Sequence, residues 1–105
     1  MTRRFRPQLV LGLFFVLAPV FSFTQTAGQA TYKAKCQMCH GATGTPSPGM
    51  AKSTNVKPLS DPEIKKLTDD QMIAAVKNGK GKMKPVAGLT DAQIKDAVTF
   101  YRGLK

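Results

Sequence analysis

At 105 residues the chain has room for one domain at most, and its 16 Lys and Arg against 6 Asp and Glu give a formal net charge of +10. Such a balance suits acidic partners or an anionic surface. With two cysteines and one histidine, the chain lacks the four Cys or His donors of a structural zinc site.

The chain opens with Arg3, Arg4 and Arg6, and Leu9 to Phe23 is an apolar run broken only by Gly12, Pro19 and Ser22. A basic start, an apolar stretch and small residues in that order describe a secretory signal peptide. The run carries a proline near its end and falls short of the roughly 20 apolar residues a spanning helix needs, so a membrane anchor is the lesser reading. Cleavage after Ser22 is expected, with a cut after Ala30 the other candidate. Residues 1–22 are then the signal and residues 23–105 the domain, with no transmembrane segment left. Losing three arginines and no acids leaves 13 cationic side chains against 6 acidic ones, a formal +7. A chain of about 80 residues buries little apolar surface and needs a further source of stability.

Residues 28 to 39 lack proline and carry good helix formers, which predicts a helix leading straight into the two cysteines. From Gly41 to Pro58 the composition turns to Gly, Pro, Ser and Thr, with Pro46 and Pro48 excluding continuous helix; a long loop is expected. Ser60-Asp61-Pro62-Glu63 reads as the start of a short helix with Ser60 capping. Thr68-Asp69-Asp70-Gln71 is a capping box, followed by an apolar stripe of Met72, Ile73 and Val76 that Asn78-Gly79 ends. Residues 80 to 89 form a Lys- and Gly-rich loop around Met83 and Pro85. A further capping box, Thr90-Asp91-Ala92-Gln93, opens a last helix with Ile94, Ala97, Val98 and Tyr101 at helical spacing. No repeat and no strand pattern is present, so the expected architecture is all-α.

Cys36-Gln37-Met38-Cys39-His40 carries the chemistry. Each thiol is able to add across one vinyl group of a haem, and two intervening residues set the distance between the vinyls. The adjacent His40 is then carried beneath the macrocycle, where its imidazole binds iron. One covalent haem c, with its iron, is the expected cofactor, and it would also supply the missing core. A thiol–disulfide oxidoreductase would place the cysteine pair at a helix start after a strand, whereas here it ends a helix with no strand before it.

A soft thioether on the open face of the iron would stabilise Fe(II) and block other ligands. Met38 lies between the cysteines and cannot reach that face, and Met72 belongs to an apolar stripe. Met50 follows His40 too closely to be favoured. Met83 stands alone among Lys80, Lys82 and Lys84, and an apolar side chain in so charged a loop points inward. Met83 is the expected second axial ligand; covering the haem edge without bonding iron is its alternative role.

From Gly28 onward the chain resembles a small class I cytochrome c of the bacterial and photosynthetic-lumen type. Gly28, Tyr32, Lys35, Cys36, Cys39, His40 and Gly41 resemble the family's N-terminal helix and haem motif. Leu67-Thr68, Met72 and Asn78-Gly79-Lys80-Gly81-Lys82-Met83 resemble the helix and loop that deliver the methionine. Leu89-Thr90-Asp91 through Phe100-Tyr101-Arg102 resembles the C-terminal helix. The resemblance implies three to four helices wrapped around one covalent haem, with Gly28 allowing Tyr32 and Phe100 to meet where the terminal helices cross. It also implies that a proline carbonyl, here Pro48 or alternatively Pro46, accepts a hydrogen bond from the unligated nitrogen of His40. In the family proline commonly follows the ligand methionine directly, whereas here Lys84 separates Met83 from Pro85.

A six-coordinate haem leaves no site for substrate, which points to a non-enzymatic carrier of single electrons; a five-coordinate haem that binds or processes a small ligand is the alternative. In the resembled fold Lys33, Lys35, Lys80, Lys82 and Lys84 border the exposed haem edge and would steer the protein to acidic docking surfaces of redox partners. The signal implies the periplasm or an equivalent compartment such as a thylakoid lumen, which removes nucleic acid as a partner, and a monomer is expected.

Overall fold

The computed structural model describes residues 12–19 and 25–105. Six helical segments follow in chain order: α1 (Ala27–Lys35), α2 (Gln37–His40), α3 (Pro48–Thr54), α4 (Pro62–Lys65), α5 (Asp69–Asn78) and α6 (Asp91–Arg102). The described residues contain no strand, only an isolated bridge between Lys80 and Met83. The all-α expectation is met. The count of three to four helices holds for the longer elements, α1, α3, α5 and α6, and the other two are single turns.

Each long helix begins at a side-chain cap. Thr26 accepts from the Gln29 amide at 3.1 Å and starts α1. Thr68 and Thr90 form the two capping boxes, with Gln71 and Gln93 reaching back to the cap amides at 2.9 and 2.8 Å. These reciprocal bonds satisfy amide donors that a helix start leaves unpaired. Capping also corrects two expectations. The N-cap of α4 is Asp61, whose carboxylate accepts from the Glu63 amide at 2.8 Å, not Ser60. The stretch from Gly41 to Pro58 is not all loop, because Ser47 caps α3 and Pro48 occupies its first turn. Proline fits there, since the amide it lacks would be unpaired in any case.

Packing centres on the crossing of α1 and α6. A Cβ on Gly28 would lie 2.3 Å from the Asp96 carbonyl oxygen and 3.3 Å from the Phe100 Cβ, so only glycine lets these backbones approach. One helical turn on, Tyr32 is 1% exposed and its ring lies 5.3 Å from that of Phe100. The other face of α6 packs on α5 through Met72, Ile94 and Val98, with Ile64, Leu67, Ile73, Val76, Leu89 and Tyr101 half-buried around them. Arg102 closes this layer by donating to the Leu67 carbonyl and pairing with Asp69.

The buried hydrophobic side chains among the described residues are only Tyr32, Met72, Ile94, Ala97 and Val98. The segment read as a secretory signal lies mostly outside the described residues. Its residues 12–19 have no regular secondary structure, and Leu13, Phe14, Phe15, Val16 and Leu17 are exposed. No helix of the described residues is long and apolar enough to cross a membrane.

Candidate haem-binding site

The helix leading into the cysteine motif does not run through it unbroken. α1 ends at Lys35, and Cys36 caps both α1 and the single turn α2. The Cys36 amide still bonds to the Tyr32 carbonyl at 2.9 Å, so the turn starts in register with α1. Within it the Cys39 and His40 amides both bond to the Cys36 carbonyl, at 3.2 and 3.0 Å. Residues three and four apart on a helical turn share a face, which is why this spacing presents two thiols and an imidazole together. Both thiols are free and half-buried. Burial raises the Cys36 thiol, and Cys39 beside it adds to the effect.

Gly41 stops the turn at φ 80°, where a Cβ would come within 2.0 Å of the Thr45 carbonyl oxygen. The chain therefore folds back tightly directly after His40. Burial lowers the pKa of His40 and keeps the imidazole neutral, the form with a free lone pair for a metal. Tyr101 of α6 meets the ring edge-on, with centroids 5.4 Å apart.

His40 Nδ1 is buried and has no hydrogen-bond partner, so the carbonyl of Pro48 does not accept from it, nor does that of Pro46. The reason lies in α3: Pro48 is the first residue of that helix, and a carbonyl there points along the helix axis into the backbone ladder.

Met83 stands on a separate turn after α5. The Lys80 amide bonds to the Met83 carbonyl at 2.9 Å and the Met83 amide returns to the Lys80 carbonyl at 3.0 Å, which closes a tight turn around Gly81 and Lys82. Gly81 holds φ 59°, as a primed hairpin turn requires at its first central position. The Val86 amide bonds to the Val76 carbonyl at 2.9 Å and fastens the far end of the loop to α5. Lys82 Nζ donates to the Ser53 carbonyl at 3.4 Å, linking the turn to the end of α3. Met83 is half-buried, whereas Lys80, Lys82 and Lys84 are exposed. Met38 is 83% exposed, Met72 lies in the core and Met50 is half-buried in α3. Lys33 and Lys35 are exposed at the end of α1.

These residues suit a covalently held haem. The thiols are unpaired, the imidazole is neutral, and five buried apolar side chains are a thin core for a domain of this size. Reading the sequence missed the contact of Tyr101 with His40, because its helical spacing marks it as core and nothing local distinguishes the two roles.

An all-α fold with a Cys-x-x-Cys-His turn defines a small c-type cytochrome carrying one haem c and its iron. The chain belongs to the cytochrome c family: residues 23–100 match the family model described as "Cytochrome C oxidase, cbb3-type, subunit III". It is similar to cytochrome c-555 of Chlorobaculum tepidum, 32% identical over 111 residues, with 98% of this chain and 97% of the relative covered. Cytochrome c-555 of Chlorobaculum thiosulfatiphilum is 36% identical over 89 residues, covering 77% of this chain and 96% of that protein. Among solved structures, the KustC0563 c-type cytochrome superposes with a TM-score of 0.65 at 28% identity, covering 74% of this chain and 96% of its own. Electron transfer is the work of these cytochromes, and redox partners come with it.

Proposed function

We propose that this cytochrome shuttles single electrons between redox partners outside the cytoplasm, with thioethers from Cys36 and Cys39 holding the haem and with His40 and Met83 as the axial ligands. The observation that carries the reading is the single helical turn, closed by the Cys39 and His40 amides on the Cys36 carbonyl, that sets the second thiol and the imidazole three and four residues after the first. Bound haem c supplies a one-electron Fe(III)/Fe(II) couple.

The residues of the chain set how that couple behaves. His40 offers a nitrogen lone pair that burial keeps unprotonated. The Met83 thioether favours the reduced iron and closes the second face, so the protein is a carrier and not an enzyme. Lys57, Lys77 and Arg102 pair with Glu63, Asp91 and Asp69. Lys33, Lys35, Lys80, Lys82 and Lys84 are exposed and in none of those pairs, which leaves their charge for acidic partners. Residues 1–22 serve as a secretory signal and residues 23–105 work as a monomeric domain in the periplasm or a thylakoid lumen.

Optical spectra of the mature, haem-loaded protein test this reading. The oxidised form is expected to show the weak red charge-transfer band of an iron–sulfur bond, and Met83→Ala to abolish it. A high-spin spectrum that shifts on adding carbon monoxide would replace the carrier by a five-coordinate, ligand-binding haem.

A further inference from the structure

A metal-bound histidine is usually oriented by a hydrogen bond from its second ring nitrogen. Here Nδ1 of His40 is buried without such a partner, so the ring is held by its neighbours and by the backbone that carries it. Tyr101 from α6 meets the imidazole edge-on at 5.4 Å, with the planes at 64°. Tyr32 from α1 stacks on Tyr101 at 5.9 Å, with the planes at 22°. The Tyr32 hydroxyl donates to the Gly41 carbonyl at 2.5 Å. Gly41 directly follows His40, so that bond fixes the peptide unit next to the imidazole.

The hydroxyl calls for its own explanation. At the helix crossing the ring of Tyr32 already fills the space against Phe100, and phenylalanine would pack there equally well. A hydroxyl in a site that is 1% exposed is costly unless it is bonded, and its bond goes to the residue after the histidine. Gly41 is confined by the Thr45 carbonyl, 2.0 Å from where a Cβ would stand, so the turn that receives the bond is itself tightly closed.

We propose that Tyr32 is a positioning residue for the iron ligand: with its ring on Tyr101 and its hydroxyl on the Gly41 carbonyl, it fixes the rotation of the His40 imidazole and ties the α1–α6 crossing to the haem. The inference rests on the reading of His40 as an axial ligand. Rotation matters because the plane of the imidazole sets its overlap with the iron orbitals, and so the electronic structure of the oxidised centre.

The test uses the haem-loaded protein and its Tyr32→Phe and Thr90→Ala variants. In the ferric low-spin state the shifts of the four haem methyl protons report the orientation of the axial ligands. Tyr32→Phe is expected to change their spread, whereas Thr90→Ala, which removes only the cap at the start of α6, leaves it as in the parent. An unchanged methyl pattern in Tyr32→Phe overturns the proposal even if the Tm falls, because a lower Tm alone is what a packing role gives. Should Tyr32→Phe fail to accumulate, the parent decides. A slowly exchanging tyrosine hydroxyl proton with cross-relaxation to the Gly41 Hα is expected, and its absence overturns the clamp. A parent that is high-spin in the ferric state removes Met83 from the iron, and with it the six-coordinate carrier, before any variant is made; the clamp on His40 is then decided by the methyl shifts of parent and Tyr32→Phe in that state.

Discussion

On the His40 side of the site the chain is held by interlocked side chains. Gly28 lets α1 and α6 touch, Tyr32 and Phe100 fill the crossing, and Tyr101 carries the packing on to the imidazole. On the Met83 side the chain is held by backbone bonds across a four-residue turn, by the Val86 amide on α5, and by one exposed lysine bonded to the Ser53 carbonyl. Packed side chains resist displacement because any shift opens voids or creates clashes, whereas an exposed turn moves at little cost. The histidine side is thus preorganised, and in the proposed ligation the methionine side would lean more on its bond to iron. Of the two proposed axial bonds, the sulfur bond is the one expected to yield first.

The largest effect is expected from losing the haem. A Cys36→Ala, Cys39→Ala double variant should release haem into acidified acetone, and its protein should lose most of the helical circular dichroism at 25 °C. The five buried hydrophobic side chains of the described residues do not sustain a domain of this size. A haem-free protein with parent-like helicity would mean that the crossing folds on its own and would sharpen the asymmetry further.

Gly28→Val should cost about 3 kcal/mol in urea unfolding, because its side chain runs into the Asp96 carbonyl backbone. The iron–sulfur band should survive in the fraction that folds. A variant as stable as the parent would break the comparison, since it would show that the crossing is not the rigid side.

The pH dependence of stability probes the same crossing. Burial raises the Tyr32 phenol well above its usual range, with smaller contributions from Tyr101 and Cys36. A raised folded-state pKa means that this contribution is complete below the unfolded value of about 10. It is then lost as the pH climbs from there toward the folded value. Urea midpoints should therefore fall more steeply above pH 10 in the parent than in Tyr32→Phe; equal slopes would place the alkaline loss elsewhere.

Thr90→Ala should cost about 1 kcal/mol, read in the same titration, because it removes the acceptor for the Gln93 amide at 3.2 Å. Smallest in stability is Lys82→Ala. The Tm should move by no more than about 1 °C, while added imidazole displaces the methionine faster than in the parent. Unchanged displacement kinetics would remove Lys82 from the account of what holds the turn.

Local signals were legible where the chain satisfies its own backbone. The Thr68 and Thr90 capping boxes, and the stop at Asn78-Gly79, use side chains and φ preferences within four residues, so they need no tertiary contact. The Cys36-x-x-Cys39-His40 spacing belongs to the same class, since a single helical turn brings its members together. The reading of residues 41 to 58 as loop erred at α3 because Pro48 breaks a helix in its interior but suits its first turn, and only the end of the preceding chain decides which applies. The Ser60 cap lost to Asp61 for a similar reason, one residue of register that either side chain would serve.

Sequence alone thus determined the class of chemistry, the helical architecture and the helix caps, because each rests on covalent spacing or on short-range hydrogen bonds. The tertiary structure decided what no spacing encodes. It set Tyr101 against the imidazole, joined Tyr32 to the Gly41 carbonyl across nine residues, and left His40 Nδ1 without the proline carbonyl that resemblance had suggested. Those contacts depend on how α1 and α6 cross, and that crossing is fixed by the absence of a single Cβ at Gly28.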